Sequence, residues 1–329
     1  MALMTASASP APSASSASSA RRDLTAHDAT TLLSVTDRTL VMGVVNVTPD
    51  SFSDGGQWFE PDAAIAHGRD VMAAGADIVD VGGESTRPGA ERPSVEEELR
   101  RVVPLVTALA AEGTVVSVDT MRASVARAAV EAGAAIVNDV SGGLADPEMV
   151  PWVAANRLPF IAMHWRGHST DMQSRAVYDD VVDDVIRELG ERRDALLEGG
   201  IEAENLVLDP GLGFAKNADH NWALLAALPA LHDLGQPILL GASRKTFLGR
   251  LGRDEGSAPR PAADRDVETT ATSVMAAMAG LWCVRVHDVA STVRALTVVQ
   301  AALEHAPADD APDDLGPDGL GDASGGPRR

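Results

Sequence analysis

The chain is poor in cysteine and in long apolar runs, and each scarcity excludes a class of protein. Its 329 residues include one cysteine, Cys283, so no disulfide can form within the chain. Cys283 lies in the apolar run 281–286, which indicates a core residue in a reducing cytoplasm. No apolar run approaches the roughly 18 residues of a membrane span. The N-terminal Ala/Ser/Pro stretch lacks the basic start and apolar segment of a signal peptide.

Positive charge and aromatic side chains are also scarce. Twenty-seven Lys and Arg face 48 Asp and Glu, and the net charge of −21 argues against nucleic acid or an anionic membrane as partner. Aromatic residues make up 3% of the chain, so Ala, Val and Leu must fill the core. We expect disordered tails at 1–30, which is Ala/Ser-rich, and at 307–329, which is acidic, around one folded domain at 31–306.

Between these tails, a short apolar strand, a polar loop and an amphipathic helix follow one another eight times. Residues 40–45 predict a buried strand, and Val95–Ala111 predicts a helix that Ser94 caps in a capping box with Glu97. Further helices are expected from Asp146-Pro147, over 177–197 and over 222–231. Eight such units in about 265 residues predict an α/β fold, a single-domain (β/α)₈ TIM barrel, which typically takes about 250. A doubly wound open sheet is the structural alternative.

Polar side chains follow every predicted strand, and this distribution favours the barrel. They are Asn46; Glu84, Thr86 and Arg87; Asp119; Asn138; His164; Asp209; Lys245; and Arg285 with His287. An Asp after a strand is commonly a helix cap, and a lone His is commonly structural. Eight strand ends with such residues are harder to explain in that way. Barrel enzymes place their chemistry at the carboxyl ends of the strands, so we predict an active site there.

The charges at these strand ends indicate the chemistry of the ligand. In an acidic chain, five cationic side chains fall there: Arg87, Arg244, Lys245, Arg285 and His287. Such a group predicts an anionic ligand, such as a phosphate, although local neutralisation of Asp residues is an alternative. Carboxylate, amide and ammonium groups on Asp119, Asn138, Asp209 and Lys245 could bind a flat heterocycle.

Several other sites are missing from the sequence. It contains no GxGxxG after a strand, no Walker lysine motif, no CxxC and no HExxH. No GxSxG elbow supports a nucleophilic serine.

Eight motifs in order carry a family resemblance. They are MGVVNVTPDSFSDGG, GGESTRPG, SVDT, NDVSGG, MH, LDPGLGFAK, SRK and RVHDV, between about Leu40 and Leu303. Together they resemble the dihydropteroate synthase family of folate biosynthesis. The resemblance implies a transferase that condenses 6-hydroxymethyl-7,8-dihydropterin pyrophosphate with p-aminobenzoate, releases pyrophosphate and uses Mg²⁺. It also implies a homodimer through the later helices and competition by sulfonamides.

The resemblance assigns roles residue by residue. The pterin ring is expected to contact Asp119, Asn138, Met163, Asp209 and Lys245. The anion pocket is expected to comprise Asn46, which also holds the metal, Thr86, Arg285 and His287. The aminobenzoate end is expected to contact Phe52, Pro88, Ser243 and Lys245. Catalytic roles are expected for Asp54 and Arg87 in two loops that close over the substrates, and for Asp119, Lys245, Arg285 and His287.

The chemistry expected from this resemblance is an S_N1-like transfer. Pyrophosphate leaves once its charge is met, and the cationic pterin methylene is stabilised by the carboxylate of Asp119. Two alternatives stay open. A methyltetrahydrofolate–corrinoid methyltransferase would need no anion pocket, which Arg285, His287 and the STRPG motif argue against. A pterin-binding paralogue without synthase activity would be expected to have lost Phe52, Asp54, Thr86 and Arg87, which are present.

Overall fold

Eight parallel strands form the centre of the molecule. The computed structural model describes residues 29–35, 37–48, 61–85, 92–168, 172–254 and 256–306. The strands are β1 (Leu40–Asn46), β2 (Ile78–Gly82), β3 (Val116–Asp119), β4 (Ile136–Asp139), β5 (Phe160–Met163), β6 (Leu206–Asp209), β7 (Leu239–Leu240) and β8 (Cys283–Val286). They pair in the order β6-β5-β4-β3-β2-β1-β8-β7. A parallel bridge between Leu208 and Ile238 joins the two ends of the sheet, so the TIM barrel is confirmed and the open sheet is excluded.

Helices alternate with these strands and surround them. They are α1 (Ala29–Leu33), α2 (Pro61–Ala73), α3 (Val95–Ala111), α4 (Ala123–Glu131), α5 (Met149–Ala155), α6 (Val181–Glu198), α7 (Ala218–Ala226), α8 (Asp266–Met278) and α9 (Val289–Glu304). None of the helices in the described segments is long and apolar enough to cross a membrane. The first helix begins at Ala29, inside the segment expected as a tail, and the remainder of both tails lies outside the described residues.

The alternation of side chains along each strand produces two apolar layers. One set of strand residues, such as Val41, Val79 and Leu208, packs outwards against the helices. The other set, such as Met42 and Ile161, fills the lower interior of the barrel. Both layers consist mainly of aliphatic residues, which agrees with the scarcity of aromatic residues in the sequence.

The amino-terminal end of the barrel is closed by α1. Leu32 of this helix is fully buried within the lower interior cluster. Trp282, just before β8, donates a hydrogen bond from its indole nitrogen to the carbonyl oxygen of Leu32 at 2.9 Å. Because this end is closed by apolar packing, the opposite end remains for polar chemistry.

Two helices lie very close to β1. A Cβ atom built on Gly43 would lie 2.3 Å from Cγ1 of Val71 on α2 and 2.9 Å from Cγ2 of Val289 on α9. Only glycine permits this approach without displacing a helix. The first strand is therefore held tightly in the barrel, and Asn46 at its end is positioned with it.

Some helix ends differ from their predicted positions because side chains and prolines override the apolar pattern. The helix expected over 177–197 begins at Val181, since the Asp180 carboxylate accepts hydrogen bonds from the backbone amides of Val182 and Asp183. The helix expected over 222–231 is α7 followed by a 3₁₀ helix at Leu228–Leu234 that has a proline in its first turn.

One more expected helix start and one expected capping box also differ in detail. The helix expected at Asp146-Pro147 begins at Met149, and Asp146 accepts from the amides of Glu148 and Ala123 instead. Ser94 caps α3 by accepting from the amide of Glu97 at 3.2 Å. The Glu97 carboxylate forms ion pairs with Arg100 and Arg101.

Candidate active site

Four neighbouring strands bring polar residues to one level at the carboxyl end of the barrel. Asn46 pairs in register with Gly82, Gly82 with Asp119, and Asp119 with Asn138. A Cβ atom on Gly82 would lie 2.9 Å from Oδ1 of Asn46 and 3.6 Å from Cβ of Asp119, so the missing side chain leaves room between them. The rim therefore carries the amides of Asn46 and Asn138 and the carboxylate of Asp119 around one hollow.

Arg285 crosses the interior of the barrel to reach this hollow. Its Nε donates to Oδ2 of Asp80 at 2.6 Å and its Nη2 donates to Oδ2 of Asp119 at 2.7 Å. Asn138 donates to the same Asp80 oxygen at 3.2 Å. Burial disfavours the charged guanidinium, but Asp80 and Asp119 outweigh it and raise the pKa of Arg285 above its ordinary value. The guanidinium is thus a permanent cation with a fixed orientation.

The charged form of Asp119 is destabilised by its surroundings. Burial raises the pKa of Asp119 to about 7, Arg285 opposes the shift, and the nearby carboxylates of Asp80 and Asp139 add to it. Such a group gains more than a solvated carboxylate would when positive charge develops beside it.

Asp209 and Lys245 form the second half of the hollow. The amide of Gly211 donates to Oδ1 of Asp209 at 2.7 Å. Burial raises the pKa of Asp209, which the Gly211 amide and Lys245 oppose. Burial also lowers the pKa of Lys245 to about 8, with Asp209 and Asp119 acting in the opposite direction and Arg285 adding to the shift. These mutual effects indicate that the charges of Asp119, Asp209, Lys245 and Arg285 lie close to one another.

The loop after β6 packs directly against Lys245. Gly211 and Gly213 have φ of 67° and 78°. A Cβ atom on Gly213 would lie 2.9 Å from Cδ of Lys245, and one on Gly211 would lie 3.2 Å from Cγ of Met163. Lys245 Nζ lies 4.0 Å from the centroid of the Phe214 ring, in cation–π geometry.

An apolar wall stands beside these charges. Met121, Val140 and Met163 form a small buried cluster, with Ala145 and Phe214 packed against it. Apolar side chains next to convergent donors and acceptors suit a flat, polar-edged ring: its faces contact the wall and its edge is hydrogen-bonded. Met163, which the resemblance expects to contact the pterin ring, lies next to the loop after β6.

Ser243 and His287 also meet at the mouth of the barrel. The Ser243 hydroxyl lies 2.9 Å from Nδ1 of His287 and accepts from the His287 backbone amide at 3.1 Å. The neighbouring Arg244, with φ of 57°, instead directs its guanidinium to Asp266 on α8, with Nε donating to Oδ1 at 2.7 Å. Local neutralisation of an Asp therefore accounts for Arg244.

Two of the strand-end residues have structural roles. Glu84 accepts from Nε of Arg92 at 2.7 Å. His164 is buried between Lys216 and Glu188, and burial together with Lys216 lowers its pKa to about 4. Phe52, Asp54, Thr86, Arg87 and Pro88 lie outside the described residues.

Three residues of this site were not predicted from the sequence. Asp80 is fully buried in the interior of the barrel, where it holds Arg285 and Asn138. Phe214 and Lys216 belong to the LDPGLGFAK motif, which was read only for Asp209. Asp80 is the one charged residue in the apolar strand IVDVG. Because burying a carboxylate is costly unless it is paired, its position in this strand could have predicted a buried partner for it.

Comparisons with known proteins agree with this geometry. The family model described as pterin binding enzyme matches residues 42–287. A dihydropteroate synthase of Mycobacterium leprae is 54% identical over 268 residues, which cover 81% of this chain and 94% of that protein.

Solved structures show the same likeness. The Yersinia pestis dihydropteroate synthase in a sulfonamide drug complex has a TM-score of 0.77 and 42% identity, covering 82% of this chain and 96% of that one. The Xanthomonas albilineans enzyme in complex with 7,8-dihydropteroate has a TM-score of 0.72 and 44% identity, covering 83% and 96%. The chain therefore belongs to the dihydropteroate synthases, the transferases of folate biosynthesis within the pterin-binding enzyme family.

Proposed function

We propose that the chain condenses 6-hydroxymethyl-7,8-dihydropterin pyrophosphate with p-aminobenzoate to give 7,8-dihydropteroate and pyrophosphate. The observation that carries this proposal is the convergence of Asp119, Asp209, Lys245 and Arg285 in one hollow beside the Met163 wall. A relative of similar fold holds 7,8-dihydropteroate, the product of this reaction.

The pterin ring would lie between Asp209 and Asn138, with Lys245 and Met163 beside it. One oxygen of Asp209, Oδ1, accepts a hydrogen bond from the Gly211 amide. The other, Oδ2, faces the space beside Gly241 and would lie 3.5 Å from a Cβ atom built on that glycine. A carboxylate in this position can accept two N–H groups from the edge of an aminopyrimidine ring. Lys245 would donate to a ring acceptor while its ammonium group lies over the Phe214 ring.

The pyrophosphate group would lie against Asn46, Thr86, Arg285 and His287. Arg285 uses Nε and Nη2 for Asp80 and Asp119, and its Nη1 makes no hydrogen bond to a described residue. Arginine recognises phosphate oxygens through such donors, so Nη1 can bind the anion while the other two nitrogens keep the guanidinium in place.

The transfer itself is proposed to be S_N1-like. The bond between the pterin methylene and the pyrophosphate oxygen breaks, and its electron pair leaves with pyrophosphate. The methylene cation is delocalised into the ring and is stabilised by Asp119. The aniline nitrogen then attacks the methylene, forms the new C–N bond and loses a proton. No covalent bond to the protein forms.

The remaining roles are proposed from the resemblance. Phe52, Pro88, Ser243 and Lys245 would form the aminobenzoate end. Asp54 and Arg87 would act with Asp119, Lys245, Arg285 and His287 once the two loops have closed over the substrates. Closure would exclude water, which competes with a weakly nucleophilic aniline.

The residues at the mouth of the barrel fit Mg²⁺. In the described segments, no group of three or more His, Cys, Asp or Glu side chains could hold a metal. The amide oxygen of Asn46, aimed at the space beside Gly82, is a suitable single protein ligand for an ion that keeps waters and binds phosphate oxygens. When bound, Mg²⁺ would neutralise part of the charge on the leaving pyrophosphate.

A homodimer is proposed through the last two helices. Five large apolar side chains are exposed there: Val267, Met275 and Met278 on α8, and Val298 and Leu303 on α9. The exposed fractions of Val267 and Met278 are 81% and 62%. Adjacent exposed apolar residues on two packed helices are typical of a protein interface. The buried free thiol of Cys283 supports a reducing compartment, the cytoplasm.

One assay tests the proposed function. The protein is incubated with the pterin pyrophosphate, Mg²⁺ and labelled p-aminobenzoate, and labelled dihydropteroate is separated by chromatography. Omission of Mg²⁺ and a Lys245→Met variant are the controls, and both are expected to reduce the product strongly. If the folded wild-type protein binds pterin but forms no dihydropteroate, the paralogue without synthase activity is the correct description.

A further inference from the structure

Lysine occurs only twice in this chain, and both lysines lie at the candidate site. The sequence has 25 arginines but only Lys216 and Lys245 as lysines. Lys216 is buried, with 3% of its surface exposed. Lysine differs from arginine in carrying a compact ammonium group whose pKa changes readily on burial. The use of lysine at these two positions, in a chain that places arginine elsewhere, indicates that the ammonium group itself matters.

The ammonium group of Lys216 has three hydrogen-bond acceptors around it. Its Nζ lies 3.1 Å from the carbonyl oxygen of Gly211, 3.2 Å from that of Phe214 and 3.0 Å from Nδ1 of His164. Three acceptors match the three protons of an ammonium group. A planar guanidinium would not fit this arrangement, since its donors point along a fork.

The acceptor His164 is itself held in position from the other side. Its Nε2 lies 3.0 Å from Oε2 of Glu188 on α6, and Arg166 donates to the same oxygen from Nε at 2.9 Å. Because Lys216 donates to Nδ1, the proton of the neutral imidazole is assigned to Nε2, which donates to Glu188. Hydrogen bonds thus connect Lys216 to His164, at the end of β5, and through His164 to Glu188 on α6.

The loop that Lys216 ties comprises residues 210–215, and it carries strained backbone. Gly211 and Gly213 have positive φ, and so does Ala215 at 47°, which is uncommon for a residue with a Cβ atom. The same loop presents Phe214 to Lys245, and its Gly211 amide holds the Asp209 carboxylate. A change in this loop would therefore move both the acceptor and the donor proposed for the pterin ring.

We propose that Lys216 is a positioning residue for pterin recognition. By donating hydrogen bonds to the carbonyl oxygens of Gly211 and Phe214 and to His164, it holds the loop 210–215 in the conformation that binds the ring. We call these three hydrogen bonds the lock. The inference rests on the proposed function of this site. Lys216 acts through Asp209, Phe214 and Lys245 and has no contact with the ring itself.

The lock depends on the charge of Lys216. Burial lowers the pKa of Lys216 to about 7, with Asp209 acting in the opposite direction. A neutral amine has two protons for three acceptors, so one of the three hydrogen bonds is lost as the pH rises past this value. The charged or titratable groups around Lys216 are His164 and Arg166 after β5, Glu188 on α6, Asp209 at β6, His220 on α7 and Lys245 after β7.

Two probes separate positioning from general loosening. 6-Hydroxymethylpterin reports on the ring pocket, and pyrophosphate with Mg²⁺ reports on the anion pocket. In Lys216→Met, calorimetry is expected to show the affinity for hydroxymethylpterin reduced about tenfold or more, and that for pyrophosphate changed less than about twofold. Arg193→Met is the matched control, because Arg193 donates to the Leu234 carbonyl oxygen away from the site; both affinities should stay unchanged.

A second pair of variants tests the lock without removing Lys216. His164→Asn keeps an acceptor for Lys216, whereas His164→Leu removes it, so the asparagine variant should bind hydroxymethylpterin more tightly than the leucine variant. Wild-type affinity for hydroxymethylpterin should also decrease between about pH 6 and 8, more steeply than in Lys216→Met.

Three results would overturn the inference: unchanged hydroxymethylpterin affinity in Lys216→Met, an equal loss for both probes, or the same pH dependence in that variant and the wild type. Failure of the proposed function would show differently, as a wild-type protein that forms no dihydropteroate.

Discussion

Arg285 and Asp80 form an ion pair inside the barrel, with Nε 2.6 Å from Oδ2 of a carboxylate that has no solvent exposure. The pair lies beneath the candidate site, and it orients the guanidinium towards the position proposed for pyrophosphate. The other oxygen of Asp80 is buried and makes no hydrogen bond to the described residues. Asp80 therefore sustains a buried cation at the cost of one unsatisfied oxygen.

Neutralising Asp80 should weaken the fold. Asp80→Asn keeps the shape of the side chain but removes one of the two carboxylates that accept hydrogen bonds from Arg285 among the described residues. We expect the free energy of unfolding to fall by about 1–3 kcal/mol, because a hydrogen bond to a buried charge is lost. Urea denaturation measures this change. Glu112→Gln removes an exposed ion pair with Arg69 and should leave stability unchanged; equal stability of both variants would contradict the role of Asp80.

Two substitutions should affect the two halves of the substrate separately. Arg285→Ala is expected to weaken the binding of pyrophosphate with Mg²⁺ about a hundredfold, since a charged donor to phosphate is worth several kcal/mol. Asp209→Asn is expected to weaken hydroxymethylpterin instead, by about tenfold or more. Calorimetry with each probe gives both affinities.

Arg244→Ala is the matched control for this pair of variants. Arg244 also follows β7, but it pairs with Asp266 outside the hollow. Wild-type activity in both Arg285→Ala and Asp209→Asn would show that the site assignment is wrong.

Asp119 should make stability depend on pH. Its pKa is raised from 3.8 to about 7, so between these values the folded state binds a proton that the unfolded state has lost. Asp119 therefore lowers the free energy of unfolding as the pH rises from about 4 to about 7, and not above. Asp119→Asn should gain stability relative to wild type across this window, and the difference should then become constant. Urea titrations at several pH values measure it; a constant difference from pH 4 to 8 would contradict the raised pKa.

Leu32 should be essential for closing the barrel. Its side chain is fully buried beneath the lower interior cluster, and its carbonyl oxygen accepts from Trp282. Leu32→Ala is expected to cost about 2–5 kcal/mol of stability, because it removes buried methyl groups and leaves a cavity. Val177→Ala, at a position that is 75% exposed, should cost less than about 0.5 kcal/mol. A small effect at Leu32 would mean that α1 does not seal the barrel.

The exposed stripe on α8 gives a test of the dimer. Val267→Glu places a charge within the proposed interface and should convert a dimer to a monomer in light scattering with size-exclusion chromatography. Val177 is similarly exposed in a different part of the surface, and Val177→Glu should leave the oligomeric state unchanged. A wild-type monomer, or a dimer that persists in Val267→Glu, would contradict this interface.

The secondary structure could be predicted where its signals are local. The bounds of α3 agree with the predicted ones, because the apolar period and the capping Ser94 lie within a few residues of the helix. The start of α6 was misplaced, since Val177 continues the apolar pattern but the carboxylate of Asp180 stops the helix. Whether a side chain caps a helix depends on the hydrogen bonds that it makes to the first backbone amides, and the apolar pattern does not predict these.

The identities of the strand-end residues determined the barrel and the chemical character of its mouth, because the carboxyl ends of parallel strands must meet at one edge. Only the tertiary structure decided the partner of each residue. Arg285 lies 205 and 166 positions from Asp80 and Asp119, and His164 lies 52 from Lys216. Such contacts form when the ring closes and buries these charges, since a charge removed from water must then be paired with whichever opposite charge the closed barrel brings within reach.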